Sequence, residues 1–146
     1  MATPEEVDTT LAIEVARELG QRIYLPVINK ASWRHSSLLF EAYEPGKTEL
    51  INNRYGIPEP KHLPGSPIQA HKLDLICVPL VGFNANCDRI GMGAGYYDRC
   101  LSEPAYRKAS SIGLAFDCQQ ADFEPAAHDV PMDAIITESQ IYQRSR

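Results

Sequence analysis

The sequence predicts an α/β domain with a mainly parallel β-sheet, because segments with strand and helix character alternate along the chain. The segment Leu73–Leu80 is almost entirely apolar, which is typical of a strand that is covered on both faces. A glycine-rich turn at residues 91–95 follows it and precedes a predicted helix. We see no internal repeat and no linker, so residues 1–146 are interpreted as a single domain.

The first predicted element is a helix over Val7–Leu19, in which apolar residues recur at helical spacing. Its start leaves two alternatives. Residues 3–6 fit a capping box with a proline in the first turn. Alternatively, Asp8 or Thr9 is the N-cap, and Glu6 then lies in a loop.

The other predicted strands are short and apolar: Arg22–Ile28, Ser37–Tyr43, Ser111–Phe116 and Ala134–Thr137. Pro26 lacks a backbone N–H, so it indicates an edge or the end of the first of these strands. Residues 44–70 are rich in Pro, Gly and Asn and are predicted to be mostly loop. A loop of this length is a candidate for ligand binding.

Composition excludes several classes of protein. Hydrophobic residues make up 44% and charged residues 23%, which excludes a largely disordered chain. The formal net charge of −5 disfavours a general nucleic-acid binder, because phosphate neutralisation needs clustered basic residues. The four cysteines show no C-x-x-C spacing, so no zinc site is expected, and Cys77 is predicted to pack as a small apolar residue. There is no secretory signal and no long apolar stretch, so we expect a cytoplasmic protein without membrane contact.

The turn at Gly91–Gly95 carries the strongest functional signal. Alternate glycines let backbone N–H groups approach a phosphate, and a helix beginning at Tyr96 adds the positive end of its dipole. Arg89 and Arg99 flank the turn and can pair with phosphate oxygens, and Asp98 could hold Mg²⁺. A nucleoside-triphosphate site is one interpretation, and a tight strand-to-helix turn without a ligand is the alternative on spacing alone.

Two other nucleotide motifs are excluded by single residues. The dinucleotide fingerprint G-x-G-x-x-G would need glycine where Tyr96 stands. The P-loop motif would end at residues 46–48, but it needs glycine where Glu41 stands.

The sequence R-I-G-M-G-A-G-Y-Y-D-R at residues 89–99 resembles the signature of the 5-formyltetrahydrofolate cyclo-ligase family, also called methenyltetrahydrofolate synthetase. Further segments follow the order of that family: Glu6–Thr9 (E-V-D-T), Arg22–Pro26, Gly56–Pro60 (G-I-P-E-P), Ile112–Phe116 and His128–Asp133. The resemblance therefore covers nearly the whole chain.

The resemblance implies a three-layer sandwich with a mainly parallel central sheet, from which the family's usual first helix and strand are missing here. It implies ATP-dependent cyclisation of 5-formyltetrahydrofolate to 5,10-methenyltetrahydrofolate through a phosphorylated formyl group, with release of ADP and phosphate. No catalytic nucleophile is expected, because positioning and electrostatics suffice for this reaction. The implied substrate is a small molecule, free or polyglutamylated, and we expect a monomer.

The resemblance also implies roles for particular residues. The ATP-binding residues are Arg89, Ile90, Gly91, Met92, Gly93, Ala94, Gly95, Tyr96 and Tyr97. The Mg²⁺ ligands are Asp98 and Asp129. The folate-binding residues are Glu6, Tyr55, Gly93, Ala94, Gly95, Tyr96 and Tyr97. Glu6 could instead be a capping-box residue and Tyr55 a surface tyrosine. Two other functions stay open: a non-catalytic folate-binding protein, and a sugar-phosphate or coenzyme A enzyme on a similar scaffold.

Overall fold

The computed structural model describes residues 6–29, 37–63 and 65–145. Contacts between these residues divide the chain into two compact units. The first unit holds residues 8–72, and the second holds residues 6–7 together with residues 73–145. Each unit has its own paired strands and its own buried side chains.

Helix α1 of the first unit spans Thr10–Glu18 and is shorter than predicted. The Oδ1 atom of Asp8 accepts hydrogen bonds from the backbone N–H of Thr10 at 2.9 Å and from its hydroxyl at 2.7 Å. The helix therefore begins at the second of the two predicted starts, and Glu6 lies before it. Gly20, with a φ of 78°, follows the last turn as expected of a C-terminal glycine.

The side chains whose spacing predicted this helix, Leu11 and Val15 within α1 and Leu19 just after it, are exposed, whereas Ile13 and Ala16 are half-buried. Leu11 and Leu19 have 70% and 72% of their surface accessible, and none of the helix residues is buried. The spacing of apolar residues thus indicated the helix correctly, but it did not indicate a buried face.

Strands β1 (Tyr24–Asn29) and β2 (Ser37–Ala42) form an antiparallel pair, close to the predicted bounds. Pro26 is tolerated because β1 is an edge strand of this two-stranded sheet in the described chain. Val27 and Phe40 are among the side chains that form the core of the first unit.

Two short strands that were not predicted lie within residues 44–70. They are β3 (Leu50–Asn52) and β4 (Pro58–Pro60), which pair antiparallel. The segments are too short for alternation of apolar and polar residues to reveal them, and proline is unusual in strands. The tight turn between them carries Tyr55 and Gly56, and Gly56 has a φ of 73°.

Glu59 is a buried carboxylate on β4, with 4% of its surface exposed. Its Oε2 atom accepts hydrogen bonds from the backbone N–H of Ile28 and from the side-chain amide of Asn53, both at 3.2 Å. These bonds fix β4 beside β1 and satisfy the buried charge.

Glu41 on β2 is the second buried carboxylate of this unit, 5% exposed. The Ser66 hydroxyl lies 2.7 Å and 2.9 Å from its two oxygens, and Nδ1 of His62 lies 2.9 Å from Oε1. The cluster connects β2 to the segment that follows β4.

The second unit is built on a four-stranded sheet. Its order is β10 (Ile141–Gln143), β9 (Ala134–Ile136), β8 (Ser110–Leu114), β5 (Leu75–Val78). Strands β5 and β9 run parallel to the central β8, and β10 runs antiparallel to β9. The predicted α/β class with mainly parallel pairing is confirmed for this sheet, whereas β10 was not predicted.

Only one face of β5 is buried. Ile76 and Val78 are 3% and 2% exposed, whereas Leu75 is 50% exposed and Cys77 is also exposed. The prediction that this strand is covered on both faces is therefore wrong, as is the predicted packing of Cys77. The physical reason is that successive side chains of a strand point to opposite faces, and the face of β5 that carries Leu75 and Cys77 is open to solvent.

The connection between β5 and β8 carries the remaining elements of this unit. Strands β6 (Gly82–Phe83) and β7 (Arg89–Ile90) pair antiparallel, and helix α2 (Tyr96–Ser102) begins at the predicted residue. Phe83 is fully buried in the core of the unit. Within the described ranges, no helix combines the length and the apolar character that crossing a membrane would need.

Candidate functional site

The glycine-rich loop between β7 and α2 lies at the surface. Met92 is 64% exposed, and Gly93 and Ala94 are also exposed. Gly93 and Gly95 have φ values of 94° and 73°, which residues with a Cβ rarely adopt. The loop presents its backbone to solvent and does not point into the core.

Arg89, at the start of this loop, is buried with only 5% of its side chain exposed. Its Nη2 lies 3.4 Å from Oδ2 of Asp98, and its Nη1 donates a hydrogen bond to the carbonyl of Pro79 at 3.4 Å. Its guanidinium carbon lies 5.8 Å from the centre of the Tyr97 ring. The side chain thus contacts three parts of the second unit.

Asp98 connects helix α2 to the segment His128–Asp133, which contains Asp129 and Asp133 and is called the acidic segment below. Its Oδ1 accepts a hydrogen bond of 3.0 Å from the backbone N–H of Val130, and its Oδ2 faces Arg89. The structure therefore places Asp98, one of the two predicted metal ligands, next to Val130. Val130 directly follows Asp129, the other predicted ligand.

Asp129 is partly exposed, with 29% of its side chain accessible. Its Oδ2 accepts a hydrogen bond from the backbone N–H of Ala126 at 2.8 Å, and its Oδ1 lies 3.5 Å from Nε2 of the exposed His128. The carboxylate is oriented by its own turn and still has lone pairs that a cation could use.

The donor set suits a hard cation that keeps water or phosphate ligands. Asp98 and Asp129 offer carboxylate oxygens, which Mg²⁺ prefers, and it is usually held by one or two carboxylates plus phosphates. The described part of the chain contains no group of three or more His, Cys, Asp or Glu side chains that could hold a metal by themselves. Water or phosphate oxygens would therefore have to complete the coordination.

Arg99 lies on the exposed side of α2. Its Nη1 donates a hydrogen bond to the carbonyl of Ala94 at 3.0 Å, and its guanidinium carbon lies 5.1 Å from the centre of the Tyr96 ring. A Cβ on Gly95 would lie 2.9 Å from Nη1 of Arg99, so this glycine leaves room for the guanidinium. Arg99 thus stands beside the loop at its surface, whereas Arg89 is buried.

Tyr97 is held as a neutral phenol. Burial is the main cause that raises its pKa above the ordinary value, and the nearby negative charge of Glu6 raises it further, while the Arg89 guanidinium acts in the opposite direction. Glu6 and Tyr97, two of the predicted folate-binding residues, both belong to the second unit.

Tyr55 belongs to the first unit, where it is 53% exposed in the turn between β3 and β4. Its hydroxyl accepts a hydrogen bond from Nη2 of Arg54 at 3.0 Å, and the Arg54 guanidinium carbon lies 5.0 Å from its ring centre. Its backbone N–H donates to Oδ1 of Asn53 at 2.9 Å.

Sequence reasoning missed the two backbone groups that hold the site together, the carbonyl of Pro79 and the N–H of Val130. Both act as main-chain partners, so no side-chain motif could report them. The only available signal was their position: Val130 lies within His128–Asp133, a segment that resembles the family pattern, and Pro79 lies within the predicted strand Leu73–Leu80.

Comparison with known proteins gives a consistent result. The sequence profile of the 5-formyltetrahydrofolate cyclo-ligase family matches residues 1–138. The chain is 37% identical to the 5-formyltetrahydrofolate cyclo-ligase of Escherichia coli K12 over 139 residues, which cover 94% of this chain and 75% of the relative. It is 35% identical to the corresponding protein of Haemophilus influenzae over 132 residues, covering 90% and 69% of the two chains.

Solved structures agree with the sequence comparison. The fold is similar to that of a 5,10-methenyltetrahydrofolate synthetase from Aquifex aeolicus, with a TM-score of 0.73, 28% identity and coverage of 98% of this chain and 68% of the other. It is also similar to the 5,10-methenyltetrahydrofolate synthetase of Mycoplasma pneumoniae, with a TM-score of 0.67, 26% identity and coverage of 93% and 68%.

Proposed function

Because the chain belongs to the 5-formyltetrahydrofolate cyclo-ligase family, we propose that it converts 5-formyltetrahydrofolate to 5,10-methenyltetrahydrofolate, with ATP as the second substrate. One structural observation carries the proposal beyond the family match. The hydrogen bond from the Val130 N–H to Asp98 holds the acidic segment beside the helix that follows the exposed glycine-rich loop.

The proposed reaction has two steps. The formyl oxygen on N5 takes the γ-phosphoryl group of ATP, and ADP leaves, so that a poor leaving group becomes a phosphate. N10 then bonds to the activated carbon and loses its proton as phosphate departs. No covalent bond to the protein forms, so the protein has to hold two anionic substrates in line and stabilise charge.

The proposed phosphate site is the backbone of Ile90–Tyr97. Exposed N–H groups of the loop would donate to phosphate oxygens, and the Arg99 guanidinium stands beside them at the surface. Asp98 and Asp129 would hold Mg²⁺, which when bound neutralises charge on the phosphate oxygens.

The proposed folate contacts in the second unit are Glu6 and the loop residues Gly93–Tyr97. The phenol of Tyr97 is protonated near neutral pH, as tyrosine ordinarily is, so its hydroxyl can donate a hydrogen bond to a polar atom of the substrate. Tyr55 remains a candidate for stacking on the pterin. The support for this is that its side chain is an aromatic ring.

The decisive experiment follows the methenyl product spectrophotometrically with and without ATP, at increasing Mg²⁺ concentrations. We expect product only with ATP. In Asp129→Asn, the Mg²⁺ concentration for half-maximal rate should rise by at least about tenfold. Glu124→Gln removes an exposed acid of the same unit and is the matched control.

Calorimetric titration separates the other functions. A folded protein that binds the folate, ignores ATP with Mg²⁺ and forms no product is a non-catalytic binder. A protein that binds no folate at all points to a different enzyme on this scaffold, and either result contradicts the proposal.

A further inference from the structure

A cavity of about 260 Å³ lies in the second unit, beside the turn between β6 and β7. This turn forms one wall, and Pro131 of the acidic segment and residues 143–145 form the rest. The glycine-rich loop, Asp98 and Asp129 are not among the residues that line it. The cavity is therefore separate from the site described above.

Two opposite charges line this cavity without pairing. Asp88 and Arg144 are both lining residues, and the ion pairs of the described part of the chain include none between them. Oδ2 of Asp88 accepts a hydrogen bond of 3.0 Å from the side-chain amide of Asn84, whereas Oδ1 accepts none from the described residues. The Arg144 backbone N–H donates to the carbonyl of Asp133, and its guanidinium has no partner within the described ranges. Both charges thus stay available to a bound molecule.

We propose that this cavity binds a small zwitterion of the α-amino acid class. The Arg144 guanidinium would hold the carboxylate of the ligand, since its planar fork matches a carboxylate with two parallel hydrogen bonds. The free oxygen of Asp88 would accept a hydrogen bond from the ammonium group of the ligand. The proposal goes beyond the cyclo-ligase reaction and does not depend on it.

A ligand with charge of a single sign suits the cavity less well. Phosphate or a simple carboxylate would be attracted by Arg144 but repelled by Asp88, and a simple cation would meet the reverse. A zwitterion is attracted by both residues. The pair of unpaired opposite charges therefore favours a ligand that carries both signs.

The size of the cavity limits the ligand further. Its volume of about 260 Å³ lies below the range of about 300–1,000 Å³ that is usual for drug-sized ligands. Asn86, Gln143 and Ser145 also line it, and their side chains offer neutral donors and acceptors. A free amino acid fits these limits, whereas ATP or a folate is too large to be enclosed.

The cavity shares a wall with the acidic segment. Pro131 lines it, and the backbone N–H of the next residue, Met132, donates to the carbonyl of Cys87 at 2.8 Å. This bond joins the acidic segment to the turn that carries Asn86 and Asp88. The backbone amides of Asn86 and Met132 are therefore suitable reporters of a ligand in the cavity.

The test follows the ¹⁵N backbone resonances of the whole chain while L-alanine is added. We expect saturable shifts at Asn86, Met132 and Ser145, with a Kd of about 10 mM or lower. N-acetyl-L-alanine keeps only the negative charge, and L-alaninamide keeps only the positive charge. Each of them should bind at least about tenfold more weakly than L-alanine.

Two variants separate the roles of the two charges. In Arg144→Gln, L-alanine should bind at least about tenfold more weakly and no better than L-alaninamide, because the carboxylate has lost its partner. In Asp88→Asn, which keeps an acceptor for Asn84, L-alanine should bind no better than N-acetyl-L-alanine. Arg107→Gln removes an exposed arginine of the same unit outside the cavity and should bind L-alanine as the native protein does.

Several results would overturn the proposal. They are the absence of saturable shifts up to about 50 mM L-alanine, shifts confined to the glycine-rich loop, equal affinity for the three ligands, and equal losses in Arg144→Gln and Arg107→Gln. The comparison of the three ligands uses the native protein, so it decides the question even if a variant does not fold. None of these results bears on the cyclo-ligase assay, which tests the proposed function separately.

Discussion

Gly91 lies directly against the guanidinium of Arg89, so closely that a Cβ at this position would come within 2.5 Å of Nη1. The glycine is therefore needed for packing on the inner side of the loop. In contrast, a Cβ on Gly93 would meet no atom within 4 Å. Two glycines of one motif thus have different physical reasons for being glycine.

Gly91→Ala should displace the Arg89 guanidinium from its partners and lower the free energy of unfolding by about 1–3 kcal/mol. Gly93→Ala should lower it by about 1–2 kcal/mol through backbone strain alone, since its φ is 94°. Hydrogen exchange at Val130 distinguishes the two, because only Gly91→Ala should accelerate it. Equal acceleration in both variants would mean that Gly91 has no special relation to Arg89.

Gly113→Ala should destabilise the second unit by overpacking. A Cβ there would lie 2.7 Å from Cδ2 of Leu80 and 3.2 Å from Cγ1 of Ile135. We expect a loss of about 1–3 kcal/mol in urea unfolding. Ser110→Ala, at an exposed position of the same strand, should stay within about 0.5 kcal/mol of the native protein. A Gly113→Ala variant as stable as Ser110→Ala would refute this packing.

Ser66→Ala should weaken the first unit, because it removes a hydroxyl from the buried carboxylate of Glu41. Oε2 would lose the Ser66 hydroxyl while Oε1 keeps the contact with His62, so we expect a loss of about 1–3 kcal/mol in urea unfolding. Ser102→Ala also removes a hydroxyl, which donates to the carbonyl of Arg99 at an exposed site, and should cost less than about 0.5 kcal/mol. Equal losses would show that the Glu41 cluster adds nothing to stability.

Stability should fall at alkaline pH because burial raises the pKa of the Cys100 thiol from 9.0 to about 12, with the Glu103 charge acting in the same direction. The folded state keeps this proton after the unfolded state has lost it. The contribution to stability is therefore complete below pH 9.0 and is lost as the pH rises toward about 12.

Urea unfolding of Cys100→Ala between about pH 8 and about pH 11 checks this prediction, because this range begins near the ordinary pKa of a thiol, about 8.5, and ends below the raised pKa. In Cys100→Ala, the free energy of unfolding should decline with pH less steeply than in the native protein. The difference should be up to about 1.4 kcal/mol per pH unit, which is the contribution of one proton. The slopes of unfolding free energy against pH are compared between the variant and the native protein. The packing lost with the smaller side chain does not depend on pH, so it does not affect these slopes. An unchanged slope would mean that the thiol of the folded protein ionises as it does in the unfolded chain.

The sequence predicted the parts of the fold that depend on local chemistry. The glycine at residue 20 ended the first helix, the second helix began at Tyr96, and the strands around residues 24–29, 37–42 and 110–114 lay near their predicted bounds. Local periodicity and turn residues report backbone conformation, which is why these elements could be recognised.

Burial was predicted less well, because it depends on residues that are distant in the sequence. Leu75 and Cys77 are as apolar as Ile76 and Val78, but they point to the opposite face of β5, and only the tertiary structure shows that this face is exposed. The strands β3 and β4 were missed for a similar reason, since three-residue strands are defined by their pairing.

By itself, the sequence determined the family resemblance, the glycine-rich loop and the set of candidate ligands, because these are properties of residue types in a fixed order. Only the tertiary structure decided which arginine is buried and which carboxylate meets the Val130 amide. The Asp98–Val130 contact joins segments far apart in the chain, and the Arg89–Asp98 contact joins β7 to α2 across the glycine-rich loop. Their formation depends on how the strands and helix of the second unit pack, and no local pattern records that packing.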